Sequence, residues 1–200
     1  MKRAQVDQLP AGLGLSDARL RMYEAAVSLF GDLGYHGVSM RDLADAMGIK
    51  GASLYAHVPS KQHLLFEITR IGLTERLRRI QAALLEAGSD PAEQMRALVH
   101  AHVLALLEFP ALGRICNREL HHIGEPLLSK VVPLQDQSSQ LFLDVVNRGR
   151  RLGEFSVEDP QRAMRAIADM GIRTAEWPRP EGTADAIAAD YASYALRILR

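Results

Sequence analysis

The sequence has little of several features that would restrict its class at once. It contains a single cysteine, Cys116, which excludes an internal disulfide and fits a reducing compartment. Charged residues interrupt the longest apolar runs well short of the roughly 20 residues that cross a bilayer, so we expect no membrane partner. No positively charged and then apolar leader opens the chain. We therefore expect a cytoplasmic protein.

An excess of charge of one sign is also missing. The chain has 24 Lys and Arg against 24 Asp and Glu, for a formal net charge of +0. The same balance holds within residues 16–61, where Lys and Arg equal Asp and Glu in number. A nucleic-acid binder usually carries a basic surface. Binding of DNA by this region must therefore depend on a few well-placed contacts, with modest salt dependence.

Motifs of the common enzyme classes are missing as well. The chain has no HExxH, paired-cysteine, P-loop, GxSxG or GxGxxG motif. His100 and His102 are two residues apart on a predicted helix, about 200° around its axis, and the adjacent His121 and His122 are about 100° apart. We accordingly predict no catalytic residue, no metal site and no cofactor, and a metal-dependent enzyme is a remote alternative.

Residues 39–61 carry the strongest positive pattern. Ser39 is a good N-cap and Asp42 adds negative charge to the first turn of a short helix. Gly48 ends that helix, and a second short helix holding Leu54 and Tyr55 follows at once. Two short helices joined by a glycine turn can seat the second helix in the major groove of DNA. The pattern thus predicts a helix-turn-helix.

The rest of the chain is helical in pattern, and strand signals are almost absent. A fourth helix is predicted from Ser60 to about residue 86, and its three arginines, Arg76, Arg78 and Arg79, are expected on a solvated face. Further helices are expected near residues 111–123 and 133–152. Other helices are predicted to start after the capping residues Ser16, Asp90, Asp159 and Thr183. Proline follows directly after Asp90 and Asp159. Nine or ten helices and no sheet predict an all-α protein.

The helix-turn-helix resembles that of the TetR family of bacterial transcriptional regulators. The resemblance lies in residues 39–44, in Ala46 to Ile49, in residues 53–57 and 59–61, and in the Gly31, Gly34 and Gly37 spacing upstream. It implies an N-terminal three-helix DNA-binding domain and a larger C-terminal helical domain for ligand binding and dimerisation. We expect a flexible arm at 1–15, the DNA-binding domain at 16–62 and the effector domain at 63–200.

The resemblance, together with side-chain chemistry, identifies the residues expected to contact DNA. Lys50 and Ser53 can bond bases or phosphates, Gly51 allows close approach and Ala52 can touch a thymine methyl group. In the family, the positions of Tyr55, His57 and Lys61 contact the phosphate backbone. The expected set is Arg41, Lys50, Gly51, Ala52, Ser53, Tyr55, His57 and Lys61.

The family also dimerises through its last two helices, and both carry apolar stripes here. We expect a homodimer that places two recognition helices about one turn apart on a partly palindromic double-stranded DNA operator. The residues expected at the dimer interface are Ile167, Met170, Ile187, Tyr191, Tyr194 and Ile198.

The C-terminal half resembles a TetR subgroup that controls fatty-acid and steroid catabolism. The resemblance is carried by residues 143–149, 153–155 and 177–180. It implies release from DNA by a small hydrophobic effector, such as an acyl-CoA whose phosphates meet Arg114, Arg118 and Arg173. The residues expected to bind the effector are His102, Phe109, Cys116, Glu119, His122, Phe142, Val146, Arg173 and Trp177. An alternative is a metal- or redox-sensing regulator that uses Cys116 with His121 or His122.

Overall fold

The computed structural model describes residues 8–177 and 182–200. These residues form nine α-helices and no β-strand, which confirms the all-α prediction. Three short 3-10 helices lie at Leu120–His122, Leu128–Lys130 and Arg173–Glu176. The α-helices are α1 (Asp17–Leu33), α2 (Met40–Met47), α3 (Gly51–Tyr55), α4 (Lys61–Glu86), α5 (Pro91–Glu108), α6 (Pro110–Arg118), α7 (Val132–Arg151), α8 (Pro160–Ile172) and α9 (Ala184–Leu199).

The described residues form two compact units. The first comprises residues up to Leu73 together with Phe109–Val132, and the second comprises Thr74–Glu108 together with the described part of Pro133–Arg200. This division differs from the predicted boundary after residue 62. Helix α4 begins in the first unit and ends in the second, and α6 belongs to the first. Residues 1–7 of the expected flexible arm lie outside the described residues, whereas Leu9 is buried.

Local sequence signals set the ends of most helices. The hydroxyl of Ser39 accepts a hydrogen bond from the Asp42 N–H, and the Asp42 carboxylate accepts one from the Ser39 N–H, which makes a complete capping box. Gly48 ends α2 in the left-handed conformation with φ 66°, where a side chain is strained. Side-chain caps also occur at Ser60, Asp90, Asp159 and Thr183. Ser16 precedes α1 without a side-chain cap.

The core of the first unit joins α1 to α2 and α6. Phe30 on α1 and Leu43 on α2 are buried, as are Leu54 on α3 and Ile115 on α6. A methyl group at Gly31 would lie 3.0 Å from the Cβ of Ala111, so α1 and α6 approach closely there. Burial of these side chains, each contributing about 1.5–3 kcal/mol, holds the short helices α2 and α3 in place.

The core of the second unit is built mainly between α5 and α9, with α7 and α8 packed against them. Its centre contains Leu98 and Val103 on α5, Val146 on α7 and Ala195 on α9. Part of the predicted apolar stripes of α8 and α9 lies in this core, including Ile167, Ile187 and Ala195. One expectation was wrong: Arg76, placed on a solvated face of α4, is only 7 % exposed. It stands three residues after Leu73 and four before Ile80, both buried, and so belongs to the inward face.

Two further segments differ from expectation in length. The helix expected over residues 111–123 ends at Arg118 and continues as a 3-10 turn. Helix α8 ends at Ile172, and its predicted stops, Pro178 and Pro180, lie outside the described residues. Over the part of the chain that is described, no single helix is both long and apolar enough to cross a membrane, and only the bent pair α5 with α6 passes that test.

Candidate DNA interface and effector cavity

Helix α3 buries one side chain and leaves the others open to solvent. Leu54 is fully buried, whereas Tyr55 keeps 55 % of its surface. The neighbouring residues that were expected to contact DNA are also exposed: Lys50, Gly51, Ala52, Ser53 and His57. One anchored leucine thus holds a short helix whose outer face is free to approach a groove.

Helix α2 adds a cation to the same face. Arg41, Lys50 and Tyr55 line one surface depression between α2 and α3. The Nε of Arg41 lies 3.9 Å from Oδ2 of Asp45, and both side chains are largely exposed, so this pair holds Arg41 only weakly. Hydrogen bonds from the Ser39 hydroxyl and N–H lower the pKa of Asp42, which keeps the capping box charged. Three of the residues predicted to contact DNA therefore line the same surface depression.

Lys61, which was expected to contact the phosphate backbone, makes contacts within the protein at the start of α4. Its Nζ donates hydrogen bonds to the carbonyl oxygens of Tyr35 at 3.0 Å and Val38 at 2.7 Å. The same ammonium lies 4.2 Å from the centre of the Tyr35 ring. Lys61 thus ties the start of α4 to the loop between α1 and α2, and it is half-buried.

The second unit contains a cavity of about 390 Å³. Arg76 from α4, His102 from α5, Phe142 from α7 and Met164 from α8 lie on its wall, and all four are buried. Most of the remaining lining is polar and comes from α7 and α8, including Gln135, Asp136, Ser138, Ser139, Gln140, Gln161, Arg165 and Asp169. The volume falls within the range of small-molecule sites.

His102 is a buried titratable group on the wall of this cavity. Burial lowers its pKa to about 3, and the nearby Arg76 charge adds to the effect. Its Nε2 lies 3.3 Å from the carbonyl oxygen of Ala168, which can only accept, so Nε2 carries the proton. The ring also meets Phe142 edge-to-face at 5.7 Å. His102 is therefore a neutral ring held by two other helices.

The nine residues expected to bind the effector fall into both units. Of the five in the second unit, His102 and Phe142 line the cavity, Val146 lies in the core, and Arg173 and Trp177 are exposed. The other four belong to the first unit: Phe109, Cys116, Glu119 and His122. Hence only two of the nine line this cavity.

The four residues in the first unit make local contacts. Cys116 is buried, and its thiol donates to the carbonyl oxygen of Thr69 at 3.7 Å. His122 stacks on Tyr35 at 5.1 Å, and its Nε2 lies 3.4 Å from Oε2 of Glu119. Partial burial and the neighbouring histidines 121 and 36 lower the pKa of His122. No group of three His, Cys, Asp or Glu that could hold a metal ion occurs among the described residues.

Sequence reasoning missed the cation of the cavity. Arg76 was assigned to solvent because it stands near Arg78 and Arg79, which do pair with Glu75. Its spacing from Leu73 and Ile80 was a signal that could have placed it inside. The polar residues Gln135 and Ser138 on α7 gave no such signal, because a polar position on a helix usually faces solvent.

The expected dimerisation residues divide by exposure. Ile167 and Ile187 are buried in the core of their own unit, whereas Tyr194 is 45 % and Ile198 40 % exposed. Tyr191 lies between the rings of Tyr194 and Trp177, each 5.9 Å away. An exposed aromatic and aliphatic strip thus runs along α9, and Met170 on α8 is half-buried.

Two family models match the chain, and together they cover most of it. Residues 23–68 match "Bacterial regulatory proteins, tetR family", and residues 88–199 match "Tetracyclin repressor-like, C-terminal domain". The first match contains α2 and α3, and the second contains α5 to α9.

Individual relatives agree with these matches. The chain is 29 % identical over 92 % of its length to the HTH-type transcriptional repressor KstR2 of Rhodococcus jostii, covering 91 % of that protein. It resembles the structure of the ketosteroid transcriptional regulator KstR2 of Mycobacterium tuberculosis with a TM-score of 0.84 and 26 % identity, covering 94 % of this chain and 97 % of that one.

A second solved structure, that of AibR in complex with isovaleryl coenzyme A and operator DNA, shares the fold at 22 % identity. Its TM-score is 0.78, with 86 % of this chain and 95 % of that chain covered. The helix-turn-helix, the helical second unit and both family models lead to one conclusion: this chain belongs to the TetR family of transcriptional regulators.

Proposed function

We propose that the protein is a homodimeric repressor that binds a partly palindromic operator through α3 and leaves it when a small effector binds the second unit. The observation that supports this most strongly is the construction of α3. Leu54 anchors it, while Lys50, Ser53 and Tyr55 face solvent together. A short helix presented in this way suits entry into a major groove.

The effector is proposed to be a small, largely hydrophobic molecule, with an acyl-CoA as the leading class. The resemblance to KstR2, named as a ketosteroid regulator, supports a lipid-derived compound. AibR, which shares the fold, was solved with an acyl-CoA. The cavity beside His102 and Phe142 is the proposed site. Binding there releases DNA only if the effector prefers the conformation that fits the operator poorly.

The dimer is proposed to form through the exposed strip of α9 and the neighbouring face of α8. Tyr191, Tyr194 and Ile198 expose apolar surface on consecutive turns of one helix, which suits a partner helix. The buried Ile167 and Ile187 support this surface from within their own unit.

The DNA-binding part is tested with Lys50→Ala combined with Tyr55→Ala. The wild-type protein first enriches its preferred sites from a pool of random-sequence duplexes. We expect the double variant to bind those sites about tenfold or more weakly, since it loses a cation and a contact surface in the groove. Arg150→Ala, an exposed arginine on α7, is the matched control and should bind normally. Unchanged binding by the double variant would refute the assignment of α3.

The effector part is tested by titrating acyl-CoA thioesters into the protein–DNA complex. We expect one class of thioester to release the DNA, and Phe142→Ala, at the cavity wall, to weaken that response without changing DNA binding in its absence. Release that is unaffected by Phe142→Ala would place the effector elsewhere.

A further inference from the structure

The buried end of the cavity has an uneven charge distribution. Arg76 is a permanent cation and is only 7 % exposed. Carboxylates also line the cavity, at Asp136 and Asp169, but both residues are exposed. No Asp or Glu is buried among the residues that the structure describes. Within the cavity lining, the positive charge of Arg76 is therefore buried, whereas the negative charges of Asp136 and Asp169 are exposed to solvent.

The other buried polar groups of the wall do not supply a second strong donor. The His102 ring is neutral, and its Nε2–H donates to Ala168. Ser138 donates its hydroxyl proton to the carbonyl oxygen of Leu134. Arg76 is thus the strongest donor that the wall can offer to a ligand. A guanidinium has five N–H donors, so it can hold a partner within the protein and still bind a ligand group.

Burial makes an anion at this position favourable. Charge-assisted hydrogen bonds between a buried guanidinium and an anion are strong, also where the guanidinium holds a further partner within the protein. The planar fork of N–H groups matches a carboxylate, which it binds through two parallel hydrogen bonds. Phe142 and Met164, close by on the same wall, suit a hydrocarbon body.

We infer that the ligand of this cavity is an amphiphile that presents a carboxylate to Arg76. The inference rests on the proposed function, because it takes this cavity to be the effector site. It narrows the effector from a hydrophobic compound to one with an acidic group at its buried end. Two kinds of molecule carry that group: a free carboxylic acid, and an acyl-CoA whose acyl chain ends in a second carboxyl.

The first test compares ligands on the full-length wild-type protein without DNA. Straight-chain carboxylates from butanoate to decanoate and the corresponding alcohols are titrated by calorimetry. We expect the best carboxylate to bind about tenfold or more tightly than its alcohol, since only the carboxylate makes charge-assisted hydrogen bonds. Equal binding of the alcohol, or no binding by any carboxylate or by adipoyl-CoA, overturns the inference.

The second test asks whether Arg76 causes the preference for a carboxylate over the corresponding alcohol. Arg76→Met should remove it, so that carboxylate and alcohol bind alike, whereas Arg76→Lys should retain part of it. Arg151→Met removes an exposed cation of α7 that does not line the cavity, and it should leave the preference intact. A preference that survives in Arg76→Met overturns the inference. If circular dichroism shows Arg76→Met to be unfolded, Arg76→Lys and the wild-type comparison decide.

A final comparison separates the two sources of the carboxylate. Adipoyl-CoA has a free carboxylate at the end of its acyl chain, and hexanoyl-CoA has none. If adipoyl-CoA binds more tightly than hexanoyl-CoA, the effector is a thioester with a second carboxyl group. If the two thioesters bind alike and only free carboxylates bind more tightly than their alcohols, the effector is a free acid. Operator binding is measured separately. Release by uncharged compounds would therefore leave the proposed function standing and remove this inference.

Discussion

Acidification should destabilise the second unit through His102, in addition to any effect of the other titratable groups. The ring is buried between Arg76, Phe142 and the Ala168 carbonyl, and its pKa in the folded protein is about 3. The imidazole of an unfolded chain has a pKa of about 6.5. Between these two pH values, the imidazole of residue 102 is protonated in the unfolded chain and neutral in the folded protein.

The magnitude follows from the linkage between proton binding and stability. A depressed folded pKa means that the free energy of unfolding falls as the pH drops below about 6.5, and that His102 has no effect above it. Each pH unit is worth about 1.4 kcal/mol. From about pH 6.5 to about pH 5 the loss is thus about 2 kcal/mol, since about 1.5 units are crossed.

The assay is urea unfolding at several pH values, followed by the fluorescence of Trp177. This is the single tryptophan of the chain and it lies in the same unit as His102. His102→Gln is the matched variant, because its amide nitrogen can donate to the Ala168 carbonyl and does not titrate. Contributions of the other six histidines and of all carboxyl groups are common to both proteins.

We expect the wild-type protein to lose about 2 kcal/mol more than His102→Gln over this interval. Equal losses in the two proteins would mean that the folded His102 titrates normally. That result would refute both the burial of the His102 ring and the lowering of its pKa by the Arg76 charge.

Three other outcomes are expected. Tyr194→Asp with Ile198→Asp should convert the proposed dimer to a monomer in sedimentation experiments, because charges then replace the exposed apolar strip of α9. Lys61→Met should destabilise the first unit by about 2 kcal/mol in hydrogen exchange of the α2 and α3 amides, because two backbone carbonyls lose a charged donor. Gly171→Ala should cost about 1–3 kcal/mol in urea unfolding, because the new methyl would lie 2.6 Å from Cδ2 of His102.

Each outcome has its own contradiction. Leu152→Asp changes a leucine that is more exposed than Tyr194 or Ile198 and lies on neither α8 nor α9. It should leave the proposed dimer intact, and dissociation by it would make the α9 result unspecific. A Lys61→Met protein of normal stability that binds DNA poorly would favour the phosphate contact expected from the sequence. Normal stability of Gly171→Ala would show that His102 moves aside freely.

Some of this protein could be read from short-range patterns. The capping pair Ser39 and Asp42 and the left-handed Gly48 encode the start and end of α2 within ten consecutive residues, 39–48. Leu54, as the apolar residue of α3, predicted which side of that helix is buried. These features depend only on neighbouring residues, and they were sufficient for the helix-turn-helix and the all-α class.

Other properties depend on which helix faces meet. Arg76 and His102 are 26 positions apart in the sequence, and neither helix alone indicates that both line one cavity. Cys116 and His122 were expected to bind the effector. Both belong to the first unit, whereas the cavity belongs to the second. The choice of neighbours is made by packing between distant segments, which no local pattern encodes.

The sequence by itself thus determined the all-α class, most of the helix ends, the DNA-binding motif and the family of this protein. Only the tertiary structure decided that Lys61 turns inward, that Ile167 and Ile187 fill their own core, and that the cavity carries a buried cation beside a neutral histidine. The physical reason is that capping and helical periodicity act within a few residues, whereas burial, and the charge state that follows from it, arises when separate helices exclude water from the same space.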